Sequence, residues 1–256
     1  MFKWLAVMTL MACANAQAWQ CKYDKDIDLV LDVSDSTVLK LSAVGGELTI
    51  KGKPGTDEVV VRGEVCVSKE EWLDEVSIES KFGDRAEIWV VTPDTDGWTI
   101  GSRYAIVNLE VTVPDSLDLD VKDSSGDLVI EDVAAVRLKD SSGDIRIENA
   151  SGPVIIDDSS GDIEVRYLAE DLTIESDSSG AIRGTDIDGS VLVERDSSGD
   201  IRFTHVGRDV VIERDSSGDI EVDDVQGDFT VHSDGSGSID SRAVAGETNI
   251  PKNKRS

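Results

Sequence analysis

The sequence predicts an all-β fold: a single-chain parallel β-helix, or β-solenoid, of about 19 residues per coil with a less regular N-terminal β cap. Three observations point there. The acidic turn DSSGDI is complete at Asp140, Asp158, Asp196 and Asp215, and returns as DSSGDL, DSSGAI and DGSGSI from Asp123, Asp177 and Asp234. Successive turns start 17, 18 and then a constant 19 residues apart. Between them run two short stretches in which aliphatic and polar residues alternate, the pattern of half-buried strands, each preceded by a glycine-bearing turn.

The first element is residues 1–18. Lys3 supplies a positive start, Trp4 to Ala12 an apolar stretch, and Ala14-Asn15-Ala16 a small-residue cleavage site. That is the pattern of a secretory signal peptide, with cleavage after Ala16 or Ala18. The rival within it is a lipoprotein box, Leu10-Met11-Ala12-Cys13, in which Cys13 would be acylated; Met11 is unusual there, and ordinary cleavage is preferred. The mature chain is then extracytoplasmic, in the periplasm or at the cell surface. No later stretch holds 18 consecutive apolar residues, so no transmembrane segment is expected. Removing the leader leaves Cys21 and Cys66, an even pair suited to a disulfide in an oxidising compartment.

Residues 19–122 form the N-terminal β-rich region. Val38–Leu41, Glu47–Lys51, Val59–Val67, Glu75–Ser80, Glu87–Val91 and Val107–Val113 read as strands, and Lys69 to Leu73 as one helical turn. Trp19, Trp72, Trp89, Trp98 and Tyr104 fall in this half, which should carry the thicker core and close one end of the stack.

Residues 123–252 are the seven-coil solenoid. With the turn Asp as position 1, the inward position 6 reads Leu128, Ile145, Ile163, Ile182, Ile201, Ile220, Ile239, and position 17 reads Leu138, Ile156, Ile174, Val193, Ile212, Val231, Ile250. Position 8 holds Gly184 in one coil and Phe203 in the next, so a ring in one rung can fill the space left by its neighbour. A lone coil buries too little to offset its own ordering, so the coils must stand by stacking. An antiparallel meander competes, but it has no reason to repeat after two strands. Residues 253–256 end a basic tail (Lys252, Lys254, Arg255).

Val111-Thr112-Val113-Pro114 leads into the repeated SGDI turns, with V-x-G-D between them. In these features the chain resembles the bacterial putative-adhesin family of β-strand-repeat envelope proteins over roughly residues 27–250. The resemblance implies a single-chain parallel β-helix outside the cytoplasm. It supplies no catalytic residues.

Composition narrows the function. Aromatics are 5% of the chain and the formal net charge is −28, so the core is aliphatic and the surface repels nucleic acid. The acidic turns are the first candidate site. Asp140, Asp144, Asp158, Asp162, Asp196, Asp200, Asp215 and Asp219 are candidate calcium ligands, by analogy with the stacked acidic turns of calcium rolls, although the glycine-rich motif of those rolls is absent. The preferred reading is architectural: the position 1 carboxylate accepts an N–H two residues on, as an Asx-turn on a hydrated rim. At the outward position 7, Arg146, Glu164, Arg183, Arg202 and Glu221 are expected to pair between rungs.

The second candidate is a partner strip at the outward position 16: Ile155, Thr173, Leu192, Val211 and Thr230. His205 and His232 fall at different repeat positions, so a Ser-His-Asp constellation is not expected, and coils of 17–19 residues leave no long loops to build a carbohydrate-cleaving groove. The sequence therefore reads as an exported, non-enzymatic adhesin-like scaffold or binding module of the bacterial envelope. It needs no cofactor unless calcium binds. Its partner is an unidentified envelope protein or glycan, and self-association is an option. A calcium-stabilised or calcium-sensing solenoid is the alternative, and a carbohydrate-active β-helix enzyme the third reading.

Overall fold

The computed structural model describes residues 21–94 and 103–251. The predicted signal peptide, Cys13, Trp19, Trp98 and the tail at 253–256 lie outside the described residues. The strands in chain order are β1 (Tyr23–Asp32), β2 (Val38–Ser42), β3 (Leu48–Lys53), β4 (Glu58–Val67), β5 (Ser77–Lys81), β6 (Arg85–Val91), β7 (Ala105–Pro114), β8 (Asp118–Lys122) and β9 (Leu128–Glu131). From there the repeat takes over with β10 (Val136–Lys139), β11 (Ile145–Glu148), β12 (Val154–Asp157), β13 (Ile163–Leu168), β14 (Leu172–Ser176), β15 (Ile182–Ile187) and β16 (Val191–Val193). It ends with β17 (Ile201–Val206), β18 (Val210–Ile212), β19 (Ile220–Val225), β20 (Phe229–Val231), β21 (Ile239–Val244) and β22 (Thr248–Asn249).

These strands form two 11-stranded sheets. The front sheet has the order β1-β4-β7-β3-β9-β11-β13-β15-β17-β19-β21, and the back sheet β22-β20-β18-β16-β14-β12-β10-β8-β2-β6-β5. The chain crosses from back to front through each DSSGD turn, and every strand from β8 onward pairs in parallel with its counterpart one coil away. The fold is the expected β-solenoid with coils of about 19 residues.

Alternation assigns the core as the sequence implies. Position 6 is at most 1% exposed from Leu128 through Ile220, and position 17 at most 3% from Leu138 through Val231. Only the last coil departs, with Ile239 and Ile250 half-buried. Gly184 pairs in register with Phe203, and a Cβ on Gly184 would sit 2.6 Å from the ring. The phenyl ring therefore occupies the space that the missing side chain leaves.

The N-terminal half is more ordered than its sequence suggests. β2 and β3 form a coil lying directly against β8 and β9, and β6 and β7 form the next coil outward. The parallel stack thus extends beyond the seven DSSGD coils, and its spatial order is not its chain order. After β7 the chain passes over the β2–β3 coil to place β8 on its far side. Gly52 sits between this crossing and the following coil: a Cβ would lie 3.3 Å from Asp115 Cα and 1.7 Å from the carbonyl oxygen of Asp132. Beyond the β6–β7 coil the stack is closed by antiparallel strands, β4 and β1 on the front sheet and β5 on the back. The predicted helical turn is a 3-10 turn over Glu70–Asp74 that seats Trp72 at 4% exposure. Cys21 and Cys66 are joined with their Cα atoms 5.6 Å apart, tying the start of β1 to β4. No helix among the described residues is long and apolar enough to cross a membrane.

Candidate functional site

Each DSSGD corner needs a backbone that side chains disfavour. Gly180 has φ +133°, and a Cβ there would lie 1.8 Å from the carbonyl oxygen of Gly161 in the preceding coil. Only glycine permits both the left-handed conformation and the stacking distance.

The position 1 aspartates correct the picture of a hydrated rim. Asp123, Asp140, Asp158, Asp177, Asp196 and Asp215 are 0–2% exposed and Asp234 is 8%. They form a column through the stack, Asp177, Asp196, Asp215 and Asp234 bridging one another in parallel. The predicted Asx-turn is present: Oδ1 accepts the N–H two residues on at Asp158 (Ser160, 3.2 Å), Asp177 (Ser179, 3.1 Å), Asp196 (Ser198, 3.2 Å) and Asp215 (Ser217, 3.1 Å). Burial raises these carboxyls to about 6 at Asp123, Asp158 and Asp177 and to about 7 at Asp196, and it raises Asp140 as well.

The position 5 aspartates have a different task. Asp144 Oδ1 accepts the N–H of Asp162 at 3.0 Å, Asp162 that of Ala181 at 2.9 Å, Asp200 that of Asp219 at 3.0 Å, and Asp219 that of Ser238 at 2.8 Å. Each carboxylate staples its turn to the next rung where the strand ladder has not yet begun. The opposite corner repeats the device: Asp171, Asp209 and Asp228 accept the N–H of Ser190, Asp228 and Glu247 at 2.7–2.8 Å. The candidate calcium ligands are thus divided between a buried column and an exposed staple. Among the described residues no group of three or more His, Cys, Asp or Glu side chains is placed to hold a metal ion.

The second corner also holds a feature that sequence reasoning missed. Asp132, Asn149, Tyr167, Asp186, His205, Asp224 and Ala243 all take φ of 51–58°, a stacked column of left-handed residues. Asn and Asp favour this conformation, but Tyr, His and Ala in the same column hide the signal. His205 belongs to it, with Nδ1 3.1 Å from Asp186 and Nε2 3.8 Å from Asp224, and His232 lies 3.8 Å from Glu213. The ring partners are carboxylates of neighbouring rungs.

On the front sheet, Arg146 meets Glu164 at 3.2 Å and Arg202 meets Glu221 at 2.9 Å, as expected from position 7. Arg183 stands beside Arg202 in register and turns instead to Asp162, at 2.7 Å. These exposed pairs set register more than they stabilise.

The outer face of the back sheet carries the predicted strip as one straight row. Ile155, Thr173, Leu192, Val211 and Thr230 are paired in register through β12, β14, β16, β18 and β20. All five are half-buried, more covered than a freely exposed row would be. Acids line both sides. Asp171, Asp209, Asp228 and Glu247 run along the corner edge, and Glu194 and Glu213 along the turn edge, all six exposed, with exposed Arg208 beside the first set and Arg195 and Arg214 beside the second. Towards the N-terminal coils the row turns charged, through Arg137, Asp120 and Lys40.

A third feature had no sequence signal because three strands and two turns build it. An open cleft of about 690 Å³ lies beside the disulfide, lined by residues that include Asp24, Lys25, Glu47, Glu64, Asn108 and Asp127. Lys25 does not neutralise its acids, since its ammonium donates to the carbonyls of Leu73 and Val76.

Among known proteins, the model of the Toastrack DUF4097 family matches residues 22–250. No curated protein matches. A solved structure from Bacteroides fragilis, described as a putative adhesin, is 14% identical with a TM-score of 0.50, covering 89% of this chain and 97% of its own. A putative cell adhesion protein from Clostridium sporogenes is also 14% identical, with a TM-score of 0.48 over 71% of this chain and 99% of its own. At such identities the likeness to the Bacteroides fragilis protein is one of fold.

Proposed function

This chain belongs to the Toastrack DUF4097 family, and from that premise we propose that it is an exported, non-enzymatic binding scaffold of the cell envelope whose back sheet holds a protein partner. The observation that carries this reading is the row Ile155, Thr173, Leu192, Val211 and Thr230, in register and bordered on both sides by carboxylates. An apolar line between two acidic lines is complementary to a segment with aliphatic side chains along one stripe and Lys or Arg beside it. A neutral glycan fits less well, because sugar faces stack on aromatic rings and this row has none. The description of the Bacteroides fragilis structure as a putative adhesin agrees with a binding role, and the leader-like segment at 1–18 agrees with export.

The architecture supports a non-catalytic reading in its own terms. The turn acids are occupied as amide acceptors, and both histidines stand on the surface beside carboxylates. The test is titration calorimetry with a synthetic amphipathic peptide that alternates Leu and Lys, against wild type and the double variant Leu192→Asp, Val211→Asp. Binding by wild type and its loss in a variant with an unchanged melting temperature is the expected result. Equal binding by both would remove the row as the site.

A further inference from the structure

The DSSGD repeat places an acid where a fold would ordinarily place an apolar side chain. Five consecutive members of the column, Asp123, Asp140, Asp158, Asp177 and Asp196, are each at most 2% exposed. In each of them Oδ2 is buried without a hydrogen-bond partner. Successive rungs of a parallel stack are about 4.8 Å apart, so ionised carboxylates on adjacent rungs would repel one another at close range. A buried carboxylate with an unsatisfied oxygen and a like charge on either side is costly, whereas a protonated carboxyl has no charge to desolvate or to repel its neighbours.

We propose that this corner column is a proton-binding site, in which carboxyls protonated from solvent remove the buried like charges that face one another along the stack, so that the solenoid is tighter in a mildly acid compartment than at neutral pH. The ligand is the proton itself. The groups that bear on the column are acids: its own members together with Asp157 and Asp162. The cations beside those two pair with them and not with the column: Lys139 with Asp157, whose charged form Arg195 also favours, and Arg183 with Asp162. No cation therefore offsets the column from these positions, and its protons belong to the column as a coupled set.

The direction with pH follows. Carboxyls raised from 3.8 to about 6 or 7 keep protons when folded that the unfolded chain has released. Their stabilising contribution is complete below about 3.8 and is lost as pH climbs through about 6 to 7. Asp157 is held low by its hydrogen bond from Lys139, and Asp162 by the N–H of Ala181. These two act oppositely: their contribution is present above the ordinary carboxylate value and is lost as pH falls through their lowered values. Stability should therefore peak in mild acid.

Relief of the overall negative charge would also favour acid, so the test must separate the two. Thermal melts at pH 5 and pH 8 are compared for wild type, Asp196→Asn in the buried column and Asp200→Asn at the exposed staple. Both variants remove one carboxylate, and both keep an oxygen that can accept an amide. Wild type should melt a few degrees higher at pH 5 than at pH 8. Asp196→Asn should shrink that gap and raise the melting temperature at pH 8, while Asp200→Asn leaves most of the gap. Equal shrinkage by both variants, or a wild-type melt that falls at pH 5, overturns the proposal. Should Asp196→Asn fail to fold, infrared spectra of wild type at pH 6 decide. A protonated-carboxyl carbonyl band, at a pH where exposed carboxylates are ionised, is required, and its absence overturns the proposal.

Discussion

The two ends of this solenoid solve the same problem in opposite ways. At the N-terminal end the parallel ladder is closed by antiparallel β1, β4 and β5, by buried Trp72 and by the Cys21–Cys66 bridge. The outermost front strand, β1, carries exposed Asp24, Asp26, Asp28 and Asp32, which discourage pairing with another chain. At the C-terminal end nothing among the described residues covers the last coil. There the inward positions themselves become polar: Ser241 stands where the previous coil has fully buried Val222, and Thr248 where it has Phe229. One end is capped by added structure, the other by a change of side chains on the repeat. A solenoid needs protection at its ends, and covalent closure is only one way to supply it.

Changes that break or sharpen this comparison rank by how many coils they disturb. Gly180→Ala strikes the middle, where the new Cβ would meet the Gly161 carbonyl at 1.8 Å, and both halves of the stack must part. A loss of about 4–5 kcal/mol in urea unfolding is expected. The same change at Gly237, against the Gly218 carbonyl at 1.7 Å, should cost less, since only coil seven has to peel away. Equal losses would mean that the last coil is as tightly held as the middle. Next is Cys21→Ser with Cys66→Ser, which opens a loop of 45 residues in sequence separation at the closed end. About 4 kcal/mol should be lost, and hydrogen exchange should quicken in β1 and β4 while β13–β19 stay protected. Uniform quickening would show that the cap and the repeat unfold as one unit. The smallest effect on stability belongs to Ser241→Val at the open end, within about 0.5 kcal/mol. Its readout is light scattering: a more apolar terminal coil should associate end to end, and a strictly monomeric variant would show that polarity there is not what keeps copies apart.

The repeat was legible because each coil returns the same residue type to the same column. Positions 6 and 17 are buried from Leu128 to Val231, and the in-register row on the back sheet stands where alternation placed it. What was not legible lies where chemistry and position disagree. The position 1 aspartates look like surface residues by composition, yet stacking buries them, because the glycine corner folds the turn inward over its own carboxylate. Strand β1 was missed because its alternation, Asp26-Ile27-Asp28-Leu29, is written with a residue that disfavours strands. The placing of β2–β3 between later coils leaves no local trace at all, since parallel pairing between distant segments is a property of the whole chain.

That misplaced coil governs the order in which the molecule can be completed. A chain delivered from its N-terminus presents β2 and β3 first, but their neighbours in the stack are β6 and β7 on one side and β8 and β9 on the other. The founding rung therefore lacks a complete parallel neighbour on one flank until Pro114 has emerged, and on the other until Glu131 has. Every later coil arrives beside a rung already laid down and can zip on within its own 17–19 residues. The molecule has one slow assembly, at its irregular end, followed by a run of local additions, and a duplicated unit inserted into that run would lengthen it without reopening the start.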